Sequence, residues 1–201
     1  MVKMKAVNNG RNMGGEFPLV SVLMPAYNAE VTVVEAMQSI LWQTYPHFEF
    51  IIINDGSTDA TRERILSVSD ARIRYYENEV NQGLVYTLNR GIDLCRGKYI
   101  ARMDADDISL PTRFEKQVEV MEKSPNIIVC GTEVSLFGDL EIVKKVPDRA
   151  YRFISAEEFQ KNLVLESGIA HPSVMMRKAY WMNITCVMML IILVRRIINF
   201  G

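Results

Sequence analysis

A chain of 201 residues, 49% of them hydrophobic, holds enough material for one domain with a sizeable core rather than for two. Its net charge of −1 leaves no basic footprint for nucleic acid. The three cysteines, Cys95, Cys130 and Cys186, share no metal-ligand spacing, and Cys95 and Cys130 read as reduced core residues of a cytosolic protein.

Residues 1–17 carry Lys3, Lys5, several Asn and Gly and no apolar run, which predicts a disordered leader rather than a signal peptide. Regular patterning begins at Pro18. Leu19 to Met24 is a β-rich run ended by Pro25, and Val31 to Trp42 carries apolar residues at helical spacing. Phe48 to Ile53 is a second apolar run. Ser57 or Asp59 is placed to cap a helix through Leu66. Ile73 to Tyr76 predicts a third strand. Leu84 to Leu94 predicts a third helix, with Gly97 near its C-terminus. Tyr99 to Met103 is a fourth strand, Pro111 opens a helix running to about Lys123, and Ile127 to Cys130 starts another strand. Beyond Val134 the pattern weakens. Glu141 to Val146 reads as an edge strand, Ser155-Ala-Glu-Glu158 as a capping box before a short helix, and Ser173 to Met176 as one more strand. Strands alternating with helices of this length mean βαβ units. The expected fold is α/β, Rossmann-like, with a mostly parallel sheet and helices on both faces.

In such a sheet, ligands bind beyond the carboxyl ends of the strands. Two acidic segments fall there: Asn54-Asp55-Gly56-Ser57 after the second strand, and Asp104-Ala105-Asp106-Asp107 after the fourth. Asp104, Asp106 and Asp107 are close enough to repel, so they need solvent, a helix N-terminus or a cation. In extended geometry Asp104 and Asp106 point the same way, and carboxylate oxygens suit Mg²⁺ or Mn²⁺. An Asp-rich turn capping the next helix is the structural alternative. There is no G-x-G-x-x-G after the first strand and no G-x-x-x-x-G-K-[ST], which argues against a Rossmann dehydrogenase and a P-loop NTPase. A nucleotidyltransferase would want a Gly-rich, basic loop where Pro25-Ala-Tyr-Asn28 stands.

The same segments carry a family resemblance. Pro18-Leu-Val-Ser-Val-Leu-Met-Pro-Ala-Tyr-Asn28 resembles the first strand and nucleotide loop of family 2 glycosyltransferases, and Ile51-Ile-Ile-Asn-Asp-Gly-Ser-Thr-Asp59 resembles the second motif. Asn81-Gln-Gly83 with Leu88-Asn89, then Tyr99-Ile-Ala-Arg-Met-Asp-Ala-Asp-Asp107 with Leu110-Pro111 and Arg113-Phe114, resemble the third motif and the D-x-D region. His171-Pro-Ser-Val-Met-Met-Arg177 is similar to a segment on the acceptor side. The resemblance spans residues 18–178 and implies a GT-A fold. It implies that Pro25, Ala26, Tyr27 and Asp55 line the nucleobase pocket, with Glu30 nearby. It places Asp104 near the ribose or metal, makes Asp106 the direct metal ligand, and gives Asp107 a share of either role. It implies Mg²⁺ or Mn²⁺ as cofactor, a nucleotide-diphosphate sugar as donor (a UDP-sugar first among them), and a glycan or lipid-linked acceptor. It further implies a cytoplasmic protein working in surface polysaccharide or glycan synthesis, with no more than peripheral contact at the inner face of the membrane.

Several residues keep two readings. Asp55 either reads the nucleobase or caps the next helix. Arg102 either faces a diphosphate or pairs with a structural carboxylate, and His171 either faces the acceptor or is a hydrogen-bonded structural histidine. Trp42 and Tyr45-Pro46 read as packing residues, and the sequon at Asn183-Ile-Thr185 is idle in a cytosolic chain.

The resemblance also implies an inverting displacement with a general base. The family carries that base in a Glu-Asp-Tyr-x-x-Trp-like segment some twenty-odd residues past the His-Pro-Ser stretch. Nothing here matches it, and no Asp or Glu follows Glu166. A non-catalytic nucleotide-sugar-binding fragment is therefore a second functional reading. Residues 179–201 are expected to be a frameshift product. Ile184 to Val194 is apolar but too short to span a bilayer. Read from the third base of the Ala179 codon, Tyr180 to Asn183 force Leu-Asp-Glu, Met188-Met189 force an Asp, and the permitted codons for Val194 to Gly201 allow Ala-Glu-Asp-Tyr-Lys-Leu-Trp. Sequencing the gene past codon 178 tests this; a stop in the shifted frame before Glu-Asp ends the idea.

Overall fold

The computed structural model describes residues 17–132, 134 and 171–180. Its elements are β1 (Val20–Ala26), α1 (Val33–Leu41), β2 (Phe48–Asp55), α2 (Thr61–Leu66), β3 (Ile73–Asn78), α3 (Leu84–Leu94), β4 (Tyr99–Arg102), α4 (Arg113–Lys123), β5 (Val129–Cys130) and β6 (Met175–Arg177). Short 3-10 turns at His171–Ser173 and Lys178–Tyr180 bracket β6. The edge strand expected at Glu141 to Val146, the capping box at Ser155 to Glu158 and nearly all of the 179–201 tail lie outside the described residues.

The six strands form one sheet in the order β3-β2-β1-β4-β6-β5. β1 to β4 are mutually parallel, while β6 runs antiparallel to both β4 and β5. Every residue of β1 and of β2 is buried, as strands covered on both faces require. Alternation divides their side chains between two cores. Val20, Val22 and Met24 pack with Met37 and Ile40 of α1, Ile65 of α2 and Phe114 and Val118 of α4. Leu23, Ile51 and Ile53 pack on the other face with Leu88 and Ile92 of α3. The chain winds from β1 outward to β3 with α1 and α2 on one face. It then returns to β4 through α3 on the opposite face, as right-handed crossovers dictate. Gly91 lets α3 approach: a Cβ there would stand 2.2 Å from Leu23 Cδ1.

The strand and helix boundaries expected from periodicity hold within about two residues, with instructive exceptions. α2 begins at Thr61 with Ala60, not Ser57 or Asp59, at the cap position. Asp59 instead accepts the Thr61 N–H at 3.0 Å, and its other oxygen accepts the Glu30 N–H at 3.2 Å. Gly97 does not close α3, whose C-terminal cap is an extended Cys95. It serves close packing, because a Cβ would meet Leu19 O and Ser21 N at 2.6 Å. β1 also runs through Pro25 to Ala26 rather than ending at the proline. Pairing with β4 stops at Leu23 opposite Arg102, so the Pro25 nitrogen faces no partner strand and its missing N–H costs nothing.

Candidate functional site

Because β2 and β4 leave β1 on opposite sides, the sheet has its switch point at the carboxyl end of β1. Four loops meet along this edge, after β1, β2, β3 and β4.

The first two loops are laced by reciprocal side-chain to backbone bonds. Asn28, with φ +49°, occupies the left-handed region that Asn tolerates. Its Oδ1 accepts the Thr58 N–H at 2.9 Å, and its own N–H donates to Ser57 Oγ at 3.0 Å. The Ala29 N–H donates to Thr61 Oγ1 at 2.7 Å, and Glu30 Oε2 accepts the Ala60 N–H at 2.9 Å. Glu30 therefore lies beside the loop after β2 with its carboxylate engaged by the Ala60 N–H at the start of α2. Gly56 (φ +64°) presses the second loop against the third, where a Cβ would come within 2.4 Å of the Val80 carbonyl carbon.

An open cavity of about 560 Å³ lies over these loops, lined by Tyr27, Gly56, Ser57, Thr58 and by Glu77 to Asn81. Of the residues expected at a nucleobase pocket, Tyr27 lines the cavity and is half-exposed. Pro25 and Ala26 are buried beneath it in β1. Asp55 is also buried, and its carboxylate is held by protein donors. Oδ1 accepts from Asn78 Nδ2 (2.6 Å) and the Gln82 N–H (2.9 Å), and Oδ2 accepts from the Gly83 N–H (2.9 Å). Burial alone raises its pKa, but these donors and the nearby Thr87 hydroxyl outweigh that and hold it below the ordinary carboxylate value. The helix that Asp55 caps is α3, whose cap residue is Gly83, and not the next helix in sequence. The wall from Glu77 to Val80 went unmarked in the sequence, although the rule that drew attention to loops after β2 and β4 applies equally after β3.

On the other side of β1, Asp104, Asp106 and Asp107 each offer a carboxylate oxygen, and all three oxygens lie within 4.8 Å of one another. They gather through a turn, not through extended backbone: the Asp107 N–H reaches the Asp104 carbonyl at 3.4 Å. Asp106 is exposed, whereas Asp104 and Asp107 are half-buried. Burial, together with the charges of Asp104 and Asp106, pushes the Asp107 carboxyl above its ordinary pKa. Arg102 pairs with Asp104, itself one of the three clustered carboxylates, through both guanidinium ends at 2.9 and 2.6 Å. Arg113, nearly fully buried, donates from Nη2 to the carbonyls of Arg102 (2.8 Å) and Val174 (3.2 Å), tying β4 to the segment before β6. Burial lowers its pKa to about 10, which still leaves it charged at neutral pH. His171 is buried in the 3-10 turn at the start of that segment. The three carboxylates offer the hard oxygen donors that suit Mg²⁺ or Mn²⁺, and their mutual repulsion is the condition a cation relieves.

Among the described residues no helix is long and apolar enough to cross a membrane. Cys95 and Cys130 are free thiols, the first buried and the second half-buried.

Residues 21–182 match the family model described as glycosyl transferase family 2. Over 149 residues, 74% of this chain, the sequence is 33% identical to an Escherichia coli protein, UDP-Glc:alpha-D-GlcNAc-diphosphoundecaprenol beta-1,3-glucosyltransferase WfgD, of which it covers 56%. The fold is similar to that of S. aureus TarS 1-349 in complex with UDP, with a TM-score of 0.64 at 19% identity over 82% of this chain and 48% of that one. It is also similar to the mannosyltransferase PcManGT from Pyrobaculum calidifontis in complex with GDP-Man and Mn²⁺, with a TM-score of 0.51 at 24% identity over 56% and 34% of the two chains. The chain spans about half the length, or less, of the curated relatives it matches.

Proposed function

This chain belongs to glycosyl transferase family 2 and has the GT-A fold, and on that premise we propose that it forms the donor-binding part of a glycosyltransferase. The donor is a nucleotide-diphosphate sugar, a UDP-sugar first among them. The acceptor is a hydroxyl of a glycan or lipid-linked saccharide in surface polysaccharide synthesis. One observation carries the reading: a three-carboxylate cluster and an open cavity flank the same strand end at the switch point of the sheet.

The division of labour follows from chemistry. The cavity beside Tyr27 takes the base and ribose. Asp106, with Asp104 and Asp107 beside it, would hold a divalent ion, which would supply positive charge to neutralise the departing nucleoside diphosphate. The relatives support both halves. WfgD is named for UDP-Glc and a diphosphoundecaprenol-linked acceptor, TarS was solved with UDP, and PcManGT with GDP-Man and Mn²⁺. Asp106→Ala is expected to abolish Mn²⁺-dependent binding of UDP measured by calorimetry. Equal UDP binding with Mn²⁺ and with chelator overturns the metal assignment.

A further inference from the structure

We propose that Gln43 is a positioning residue for the carboxylate cluster: together with Ser39 it pins the far end of the loop that carries Asp104, Asp106 and Asp107, and so keeps the three carboxylates gathered before any cation arrives. This rests on the donor-site reading above and deepens it.

Gln43 and Ser39 are polar, yet they are only 7% and 6% exposed. Burying an amide and a hydroxyl is costly unless both are bonded. Each makes one bond back into α1, Gln43 to the Ser39 carbonyl and Ser39 to the Ala36 carbonyl. Their remaining bonds all run to residues 109–114. The Gln43 amide nitrogen donates to the Leu110 carbonyl at 2.8 Å and lies 3.2 Å from Ser109 Oγ and 3.4 Å from the Ser109 carbonyl. The amide oxygen accepts the Phe114 N–H at 3.1 Å, one of the donors that the first turn of α4 leaves without an intrahelical partner. Ser39 Oγ accepts the Ser109 N–H at 3.0 Å. Thr44 continues the seam, its N–H donating to the Pro111 carbonyl at 2.8 Å. Ser109 is buried as well, so its bonds are sheltered from water, where they are strong.

The pinned segment begins two residues beyond Asp107. The near end of the same loop is fixed by Arg113, which holds the Arg102 carbonyl at 2.8 Å. Asp104, Asp106 and Asp107 thus lie between two anchored points, with carboxylate oxygens within 4.8 Å of one another. Their like charges push the loop open, and a loop with one loose end relieves that repulsion by spreading. The two anchors deny it that relief. A cation then meets carboxylates already gathered and does not have to order them.

The test pairs Mn²⁺ affinity, read by electron paramagnetic resonance with UDP present, with hydrogen exchange of residues 104–112 in the metal-free chain. Gln43→Met nearly keeps the side-chain volume and removes every amide bond. Mn²⁺ affinity should fall about tenfold, and exchange across the loop should quicken by at least about tenfold. Ser39→Ala removes only the hydroxyl that holds Ser109; it should lower Mn²⁺ affinity about threefold, and it carries the test if Gln43→Met fails to fold. Ser21→Ala is the control. Its hydroxyl is buried near the opposite end of the sheet and donates to Glu49 at 2.6 Å, so this variant should lose stability yet bind Mn²⁺ as the wild type does. If Gln43→Met behaves like Ser21→Ala, losing stability while its Mn²⁺ affinity stays within about twofold of wild type, the proposal is overturned. An equal loss of Mn²⁺ affinity in Ser21→Ala overturns it too, as does unchanged affinity in Ser39→Ala. Wild-type protein that binds no Mn²⁺ even with UDP overturns the donor-site reading itself, and this inference with it.

Discussion

At the amino ends of the parallel strands, Glu49 of β2 is buried, yet all its acceptors are met. Ser21 Oγ and the Arg96 N–H donate to Oε1 at 2.6 and 2.7 Å, and Arg74 donates to Oε2 at 2.6 Å. At the carboxyl end of β4, half-buried Asp107 faces two more carboxylates. Burial raises the pKa of both groups. At Glu49 the donors outweigh it and the value falls below the ordinary one, whereas at Asp107 neighbouring charge adds to it and the value rises. The same sheet thus stabilises an ionised carboxylate at one end and leaves one under repulsion at the other. That repulsion is what the cation of the proposed donor site would relieve.

The strongest way to break the contrast is Glu49→Ala. It takes the carboxylate from the mostly buried Arg74 guanidinium, which keeps only the Leu94 carbonyl and the Tyr76 hydroxyl, and removes an acceptor from Ser21 Oγ and the Arg96 N–H, so it should cost about 3 kcal/mol in urea unfolding. Next is Asp55→Ala, which sharpens the comparison because Asp55 sits at the functional edge but is satisfied as Glu49 is. Loss of its bonds to Asn78, Gln82 and Gly83 should cost about 2 kcal/mol. UDP affinity measured on the folded fraction should fall as well; unchanged affinity confines Asp55 to holding the wall after β3. Asp107→Asn should act with the opposite sign, raising stability by about 1 kcal/mol while weakening Mn²⁺ binding. The smallest effect is in pH dependence. Glu49 has a lowered folded pKa, so its contribution is complete above the ordinary value of 4.5 and is lost as pH falls through the lower folded value. Asp107 has a raised folded pKa, so its cost is absent when protonated and grows as pH rises from 3.8 through the folded value. Glu49→Gln should therefore flatten the acid limb of the stability profile, and Asp107→Asn should flatten the limb just above it.

Most of the described architecture was legible in the chain. β-branched runs such as Ile51-Ile-Ile53 and the apolar spacing of Val33, Met37 and Ile40 report local periodicity, and periodicity survives folding wherever a face is buried. Less legible was what individual polar side chains do, since their partners lie far along the chain. Ser57 and Asp59 look like caps for α2, but Ser57 bonds to Asn28, and Asp59, besides the Thr61 N–H at the start of α2, takes the N–H of Glu30, each about thirty residues earlier. Asp55 accepts the N–H of the cap residue of α3, Gly83, which lies 28 residues later. The extended geometry expected for Asp104 and Asp106 gave way to a turn: β4 ends at Arg102, the Met103 N–H makes the last bond to β1 at Leu23 O (3.1 Å), and the Asp107 N–H folds back to the Asp104 carbonyl. Arg113 could be quoted as part of a motif, yet its task of joining two carbonyls from β4 and the segment before β6 exists only once the sheet has formed.

Pro25 lacks the one hydrogen that would let β1 go on recruiting a neighbour on its β4 side. Drift in the sequence after Arg102 toward stronger β-formers can lengthen β4, but it cannot zip that strand onto β1 past this residue, since the rung is chemically missing. The limit on β1–β4 pairing at this residue is therefore set by covalent structure and not by a balance of weak contacts.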